Sequence, residues 1–134
     1  MLSTGSGKSL APLTAYVLIA LLTNNPQINP QVIANAIACI NKAGNSTNSY
    51  TSTIIAYALI LAGDSNAKNA VLAAYSRVIA DASLKSSLLV ESLAYLLLAM
   101  LRMPNPDKSI INDLKKRIIS LRNSNGIYYA TQVR

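Results

Sequence analysis

Covalent chemistry usually needs an activated thiol or hydroxyl beside a base, and this chain offers few of the parts. Cys39 is the only cysteine and there is no histidine. Neither a Cys–His nor a Ser–His–Asp arrangement can be built. Cys39 lies in the apolar run Ile37-Ala38-Cys39-Ile40, where a thiol is expected to pack as a small, inert hydrophobe. A lone cysteine also excludes an internal disulfide and a cysteine-rich metal site. The carboxylates are Asp64, Asp81, Glu91, Asp107 and Asp113, and no two have the spacing of a catalytic pair. Zinc would need several Cys, His or carboxylate ligands brought together. The expectation is no catalytic residue, no cofactor and no metal.

Other motifs bear on binding. Gly5-Ser6-Gly7-Lys8-Ser9 resembles the end of a phosphate-binding loop, but the first glycine of that pattern is replaced by Leu2 and no strand precedes it. Residues 1–10 read better as a flexible leader before a folded domain over 11–134. Asn45-Ser46-Thr47 is an acceptor pattern in an expected loop, which makes Asn45 a candidate glycosylation site; in a chain rich in Asn, Ser and Thr it is equally a chance match. Lys108, Lys115 and Arg122 recur every seven residues, with Lys116 and Arg117 beside them. They read as a solvated helix border, or as a candidate protein-binding surface for an acidic partner. Glu91 stands on an otherwise apolar stretch, as an exposed residue or a buried polar anchor.

These residues must be carried by helices. Hydrophobic residues make up 51% of the 134-residue chain and charged residues 13%, far from a disordered composition. The apolar content is Ala, Leu and Ile, with no Phe or Trp, and Ala and Leu are strong helix formers. The net charge is +7, without a dense Lys/Arg block or a basic-aromatic stripe, so no nucleic-acid partner is expected. The apolar runs Leu13–Leu22 and Leu88–Leu101 fall short of the roughly 20 residues of a membrane span. No secretory leader is recognisable at the start.

Punctuation marks six helical segments: Pro12 to Thr23; Pro30, capped by Asn29, to Gly44; Ser49 to Gly63; a fourth after Asp64-Ser65; Ser87 to Arg102; and Pro106, capped by Asn105, to Gly126. Segments one, three and five share a phrase around Ala15-Tyr16, Ala56-Tyr57 and Ala94-Tyr95, the tyrosines 41 and 38 residues apart. That period marks helical hairpins that cannot bury their apolar faces alone. Odd segments are apolar all round, whereas segments two and six are amphipathic. Odd helices are therefore expected inside and even ones outside.

The same phrases carry a resemblance. Leu13-Thr14-Ala15-Tyr16-Val17-Leu18, Ser49-Tyr50-Thr51 with Ala56-Tyr57-Ala58-Leu59 and Ala62-Gly63, Val90-Glu91-Ser92-Leu93-Ala94-Tyr95, and Asn125-Gly126 through Ala130-Thr131-Gln132 resemble, in order, the C-terminal half of the thioester domain of the alpha-2-macroglobulin and complement family. The resemblance implies an all-α fold of about six helices, with helical hairpin repeats forming part of an α/α toroid. It also implies an extracellular, secreted parent of innate defence that traps proteases or tags surfaces. The family's Gly-Cys-Gly-Glu-Gln motif is absent, and so is the histidine that assists acyl transfer in some members. The chain is therefore expected to act as a non-catalytic scaffold and binding surface. Its expected partners are proteins, either the rest of the parent or a second copy, because the family continues beyond the equivalent of Arg134 and a half toroid exposes apolar faces. The alternative is a stand-alone helical-repeat interaction module. An enzyme of the related toroid folds would need Asp-rich or zinc-ligand sets, which are missing.

Overall fold

A computed structural model describes residues 7–24, 27–43, 48–122 and 125–126. Six helices follow one another: α1 (Gly7–Asn24), α2 (Pro30–Ala43), α3 (Ser49–Ala62), α4 (Ala67–Ala80), α5 (Ser86–Arg102) and α6 (Lys108–Ser120). There is no strand among the described residues.

Local chemistry sets most of the ends. The Asn29 side chain accepts from the Gln31 N–H at 2.8 Å, with Pro30 in the first helical position, where its missing N–H would have had no partner. Asn48 caps α3 by accepting from Thr51 N at 2.7 Å. Gly63 closes α3 in the left-handed conformation, φ 73°, which glycine adopts without Cβ strain.

Two ends differ from expectation. Helix α1 starts at Gly7, not Pro12, so the last residues assigned to the leader are helical and Pro12 sits inside the helix. Ala11 is fully buried, so this turn has a packed surface to hold it. At α6, Asn105 takes a positive φ of 52° and leaves the cap to Asp107. The Asp107 carboxylate accepts from Ser109 N at 2.9 Å and from its hydroxyl at 2.6 Å. The helix begins after Asp107 and stops at Ser120 rather than near Gly126.

Packing follows the hairpin order. α3 lies between α1 and α5, and α2, α4 and α6 pack chiefly on α1, α3 and α5 respectively. This is a two-layer arrangement with odd helices inside and even helices outside, an arc of an α/α toroid. Tyr50 on α3 meets Glu91 on α5, and further along both helices Tyr57 meets Tyr95, so α3 and α5 run in the same direction.

The core is two apolar clusters joined through α3. One gathers Ala15, Leu18, Ile40, Ile54, Ala58, Leu59 and Ala67. The other holds Ala56, Val71, Leu93, Leu96, Met100 and Leu114. Alanines and Ser92 at these crossings let backbones approach, and the leucines fill what remains. Each fully buried leucine contributes about 1.5–3 kcal/mol of transfer free energy.

Candidate functional site

Cys39 rides on α2, partly buried. Its Sγ lies 3.5 Å from Thr14 Oγ1 on α1. With no histidine anywhere in the chain, that contact supplies no base, and it works as a tie between inner and outer helix. Among the described residues no three His, Cys, Asp or Glu side chains converge in a way that could hold a metal ion.

The inner layer carries a tyrosine cluster. The Tyr50 hydroxyl donates to Glu91 Oε1 at 2.8 Å. The Tyr57 and Tyr95 rings lie 6.0 Å apart, tilted by 47°, an aromatic pairing in the favourable range. Burial, followed by the bond to Glu91, pushes the Tyr50 phenol well above its usual range. Burial and the Glu91 charge also raise Tyr95. Tyr16 adds to the electrostatic surroundings of both. The raised Tyr50 and Tyr95 phenols stay protonated at neutral pH, so they offer donors and ring faces, not a tyrosinate nucleophile. Glu91 is exposed.

The basic residues of α6 divide by partner. Lys108, Lys115 and Lys116 are exposed on the helix, and exposed Arg122 follows the Leu121 cap. Arg117 is occupied: its Nε donates to Asp113 Oδ2 at 2.8 Å, and the Tyr75 hydroxyl donates to the same oxygen at 2.5 Å. These two donors hold the Asp113 carboxyl below its ordinary range. The pairing also fastens α6 to α4. Lys108 and Lys115 stand two turns apart on one face of the helix. Asn45 lies outside the described residues.

Two features were not foreseen from sequence. Asp81, just after α4, accepts from Ser49 Oγ at 2.7 Å and from the N–H and hydroxyl of Ser83, with Ser83 and then Ser49 lowering its pKa. It fastens the end of one hairpin to the start of α3. The second is a groove of about 720 Å³ between α2 and α4, floored by Ser52, Ile55 and Leu59 and edged by Asn41, Asn69 and Arg77. It exists because α2 and α4 do not pack on each other. Hairpin periodicity shows which helices are outer, but not how far apart neighbours stand.

Among the described residues no helix is long and apolar enough to cross a membrane. No solved structure matches the chain. The family model described as the A-macroglobulin TED domain matches residues 3–83, which takes in α1 to α4. The remaining hairpin, α5 with α6, repeats the packing of the first two, with α5 beside α3 as α3 is beside α1. With a match over more than half its length and a hairpin architecture that continues beyond it, the chain belongs to the A-macroglobulin TED domain family.

Proposed function

We propose that this chain is a non-catalytic part of a thioester-containing, alpha-2-macroglobulin- or complement-like protein, and not an enzyme. It serves as scaffold and protein-binding surface in protease trapping or opsonic defence outside the cell. The observation that carries the reading is Cys39. It is the only thiol of a thioester-family chain, it stands in Ala-Cys-Ile without the Gly-Cys-Gly-Glu-Gln surroundings, and its near neighbour is the Thr14 hydroxyl. A protein that reacted covalently would need an acyl group on that sulfur and a base to transfer it.

Thiol titration around methylamine treatment tests this. An internal thioester hides its cysteine and releases it when the amine attacks the acyl carbon. The expected result is one free thiol before treatment and the same one after. A thiol that appears only after methylamine, with methylamine found in an amide, overturns the proposal. Secretion is tested separately, by expression in secreting cells and mobility with and without a glycosidase acting at Asn45.

A further inference from the structure

The two gaps of the outer layer are finished differently. Between α4 and α6 the Tyr75 hydroxyl reaches Asp113, and the space there, against Val78, Leu93 and Leu121, is about 190 Å³. Between α2 and α4 about 720 Å³ stays open. Its walls and floor are three consecutive helices, α2, α3 and α4, and no part of it is a free face of α1, α5 or α6.

One whole face of α4 forms a wall. Asn66, Asn69, Ala70, Ala73, Ala74 and Arg77 line the groove and follow helical spacing. From 66 to 77 a helix rises about 16 Å, the reach of about five extended residues. α3 supplies the floor: Ile55 and Leu59 are apolar, and the Ser52 hydroxyl is already donated to Ser49 O at 2.6 Å. The Ser49–Asp81 bond joins the start of α3 to the end of α4. Arg77 therefore stands at the Ser52 end, and Asn66 and Asn69 at the Leu59 end.

The polar groups suit one kind of occupant. Asn69 Nδ2 donates to Asn66 Oδ1 at 3.3 Å. That pairing uses one end of each carboxamide and leaves Asn66 Nδ2 as a donor beside Asn69 Oδ1 as an acceptor. An extended peptide carries N–H and C=O groups in need of such partners, whereas a helix has already satisfied its own internally. Among the described residues that line the groove, Arg77 alone is charged. Asp64 and Asp81, beside the two ends of α4, accept from Asn66 N and from Ser49 and Ser83 and are not in the lining. The groove thus joins an apolar floor to a positive charge at one end.

We infer that the α2–α4 groove binds an extended peptide segment of a partner protein, whose Asp or Glu carboxylate meets Arg77 while its main chain bonds the Asn66 and Asn69 carboxamides. The Arg77 guanidinium carries its N–H donors in a rigid fork that takes a carboxylate bidentately. Apolar side chains of the peptide settle over Ile55 and Leu59, where Ala70, Ala73 and Ala74 leave room. The inference rests on the reading of the chain as a protein-binding scaffold, and it gives that surface a place apart from Lys115 and Lys116 on α6.

A displayed library of random linear heptapeptides, panned on the 134-residue chain, tests this. Enriched peptides should share an Asp or Glu beside apolar residues, and a fluorescein-labelled copy of the most enriched one should bind in an anisotropy titration. Ala73→Trp, at an exposed position, fills the groove, and Arg77→Gln removes its charge. Each should weaken binding about tenfold or more while helical circular dichroism is retained. Replacing the peptide's carboxylate by an amide should cost as much with the native chain and little more with R77Q. Lys115→Glu with Lys116→Glu should leave this binding unchanged, which separates the groove from general attraction to a basic surface. If R77Q loses helical signal, A73W decides. Enrichment of basic or uncharged peptides, no enrichment at all, or full binding by A73W overturns the inference. None of these outcomes alters the thiol count around methylamine treatment, so a failure here is distinct from a failure of the proposed function.

Discussion

Leu96 and Leu88 lie on one helix, and the same substitution at each should have very different consequences. Leu96 is fully buried, whereas Leu88 is 46% exposed. Leu96→Ala strips the side chain to a methyl group, a loss of about three carbons at about 0.8 kcal/mol each. The cavity left among Ala56, Leu93 and Met100 adds to this, and comparable buried leucines lose about 2.7–5.0 kcal/mol. We expect about 3 kcal/mol, against a total stability on the order of 5–15 kcal/mol for a domain. Leu88→Ala leaves no cavity and exchanges two good helix formers, so its cost should stay within about 0.5 kcal/mol. Urea unfolding followed by far-ultraviolet circular dichroism gives both numbers. Equal costs for the two variants would refute the placement of Leu96 between α5 and its neighbours, and with it the order of the inner layer.

Asp113 and Tyr75 should shift each other's titration. Asp113 is lowered in the fold, so its contribution to stability is complete above the unfolded carboxyl value of 3.8 and fades as pH falls through the folded value. Tyr75 is raised, chiefly by the same hydrogen bond, so its contribution holds below the usual 10.0 and fades as pH rises through the folded value. Tyr75→Phe should bring the Asp113 carboxyl back toward its ordinary range in a carboxyl-detected NMR titration, and an unchanged value would count against the bond. Gly63→Ala meets no atom within 4 Å but must hold a φ of 73°, so thermal or urea unfolding should show a loss of about 1–2 kcal/mol. Reversing Lys115 and Lys116 to Glu should change stability by less than about 0.5 kcal/mol while weakening binding to polyglutamate at low salt; unchanged binding would dismiss α6 as an interaction surface.

Much of the fold was readable because its signals are local. Asn29-Pro30 and Gly63 mark helix ends by backbone chemistry that does not depend on neighbours. The Ala-Tyr phrases mark the hairpin repeat, and the contrast between all-round apolar odd segments and amphipathic segments two and six separates inner from outer helices. Local signals misled where two of them competed. Asn105-Pro106 and Asp107 both offer a start to α6, and the Asp107 bonds to Ser109 win once Asn105 turns left-handed. Pro12 looked like a first helical residue, yet packing of Ala11 carries the helix back past it. The candidate site was less legible. Glu91 drew notice as a charge on an apolar helix, but its partner Tyr50 lies 41 residues away. Likewise, Asp113–Arg117 is visible as a helical pair, whereas Tyr75, 38 residues from Asp113, needs the tertiary fold to bring it in.

The packing order has a consequence for how the molecule opens. α3 is held on several sides, by α1, α4 and α5 and more lightly by α2, whereas among the described helices α6 packs chiefly on α5, with the Tyr75–Asp113 bond as a tie to α4. Local unfolding draws on the least supported units first, and in a hairpin array each unit answers mainly to its neighbours. Amide protons of α6 should therefore exchange with solvent early and those of α3 late, a gradient of slow and fast clocks along one short chain. The centre should keep its shape while this edge loosens, so that early opening of α6 leaves the inner row of helices together.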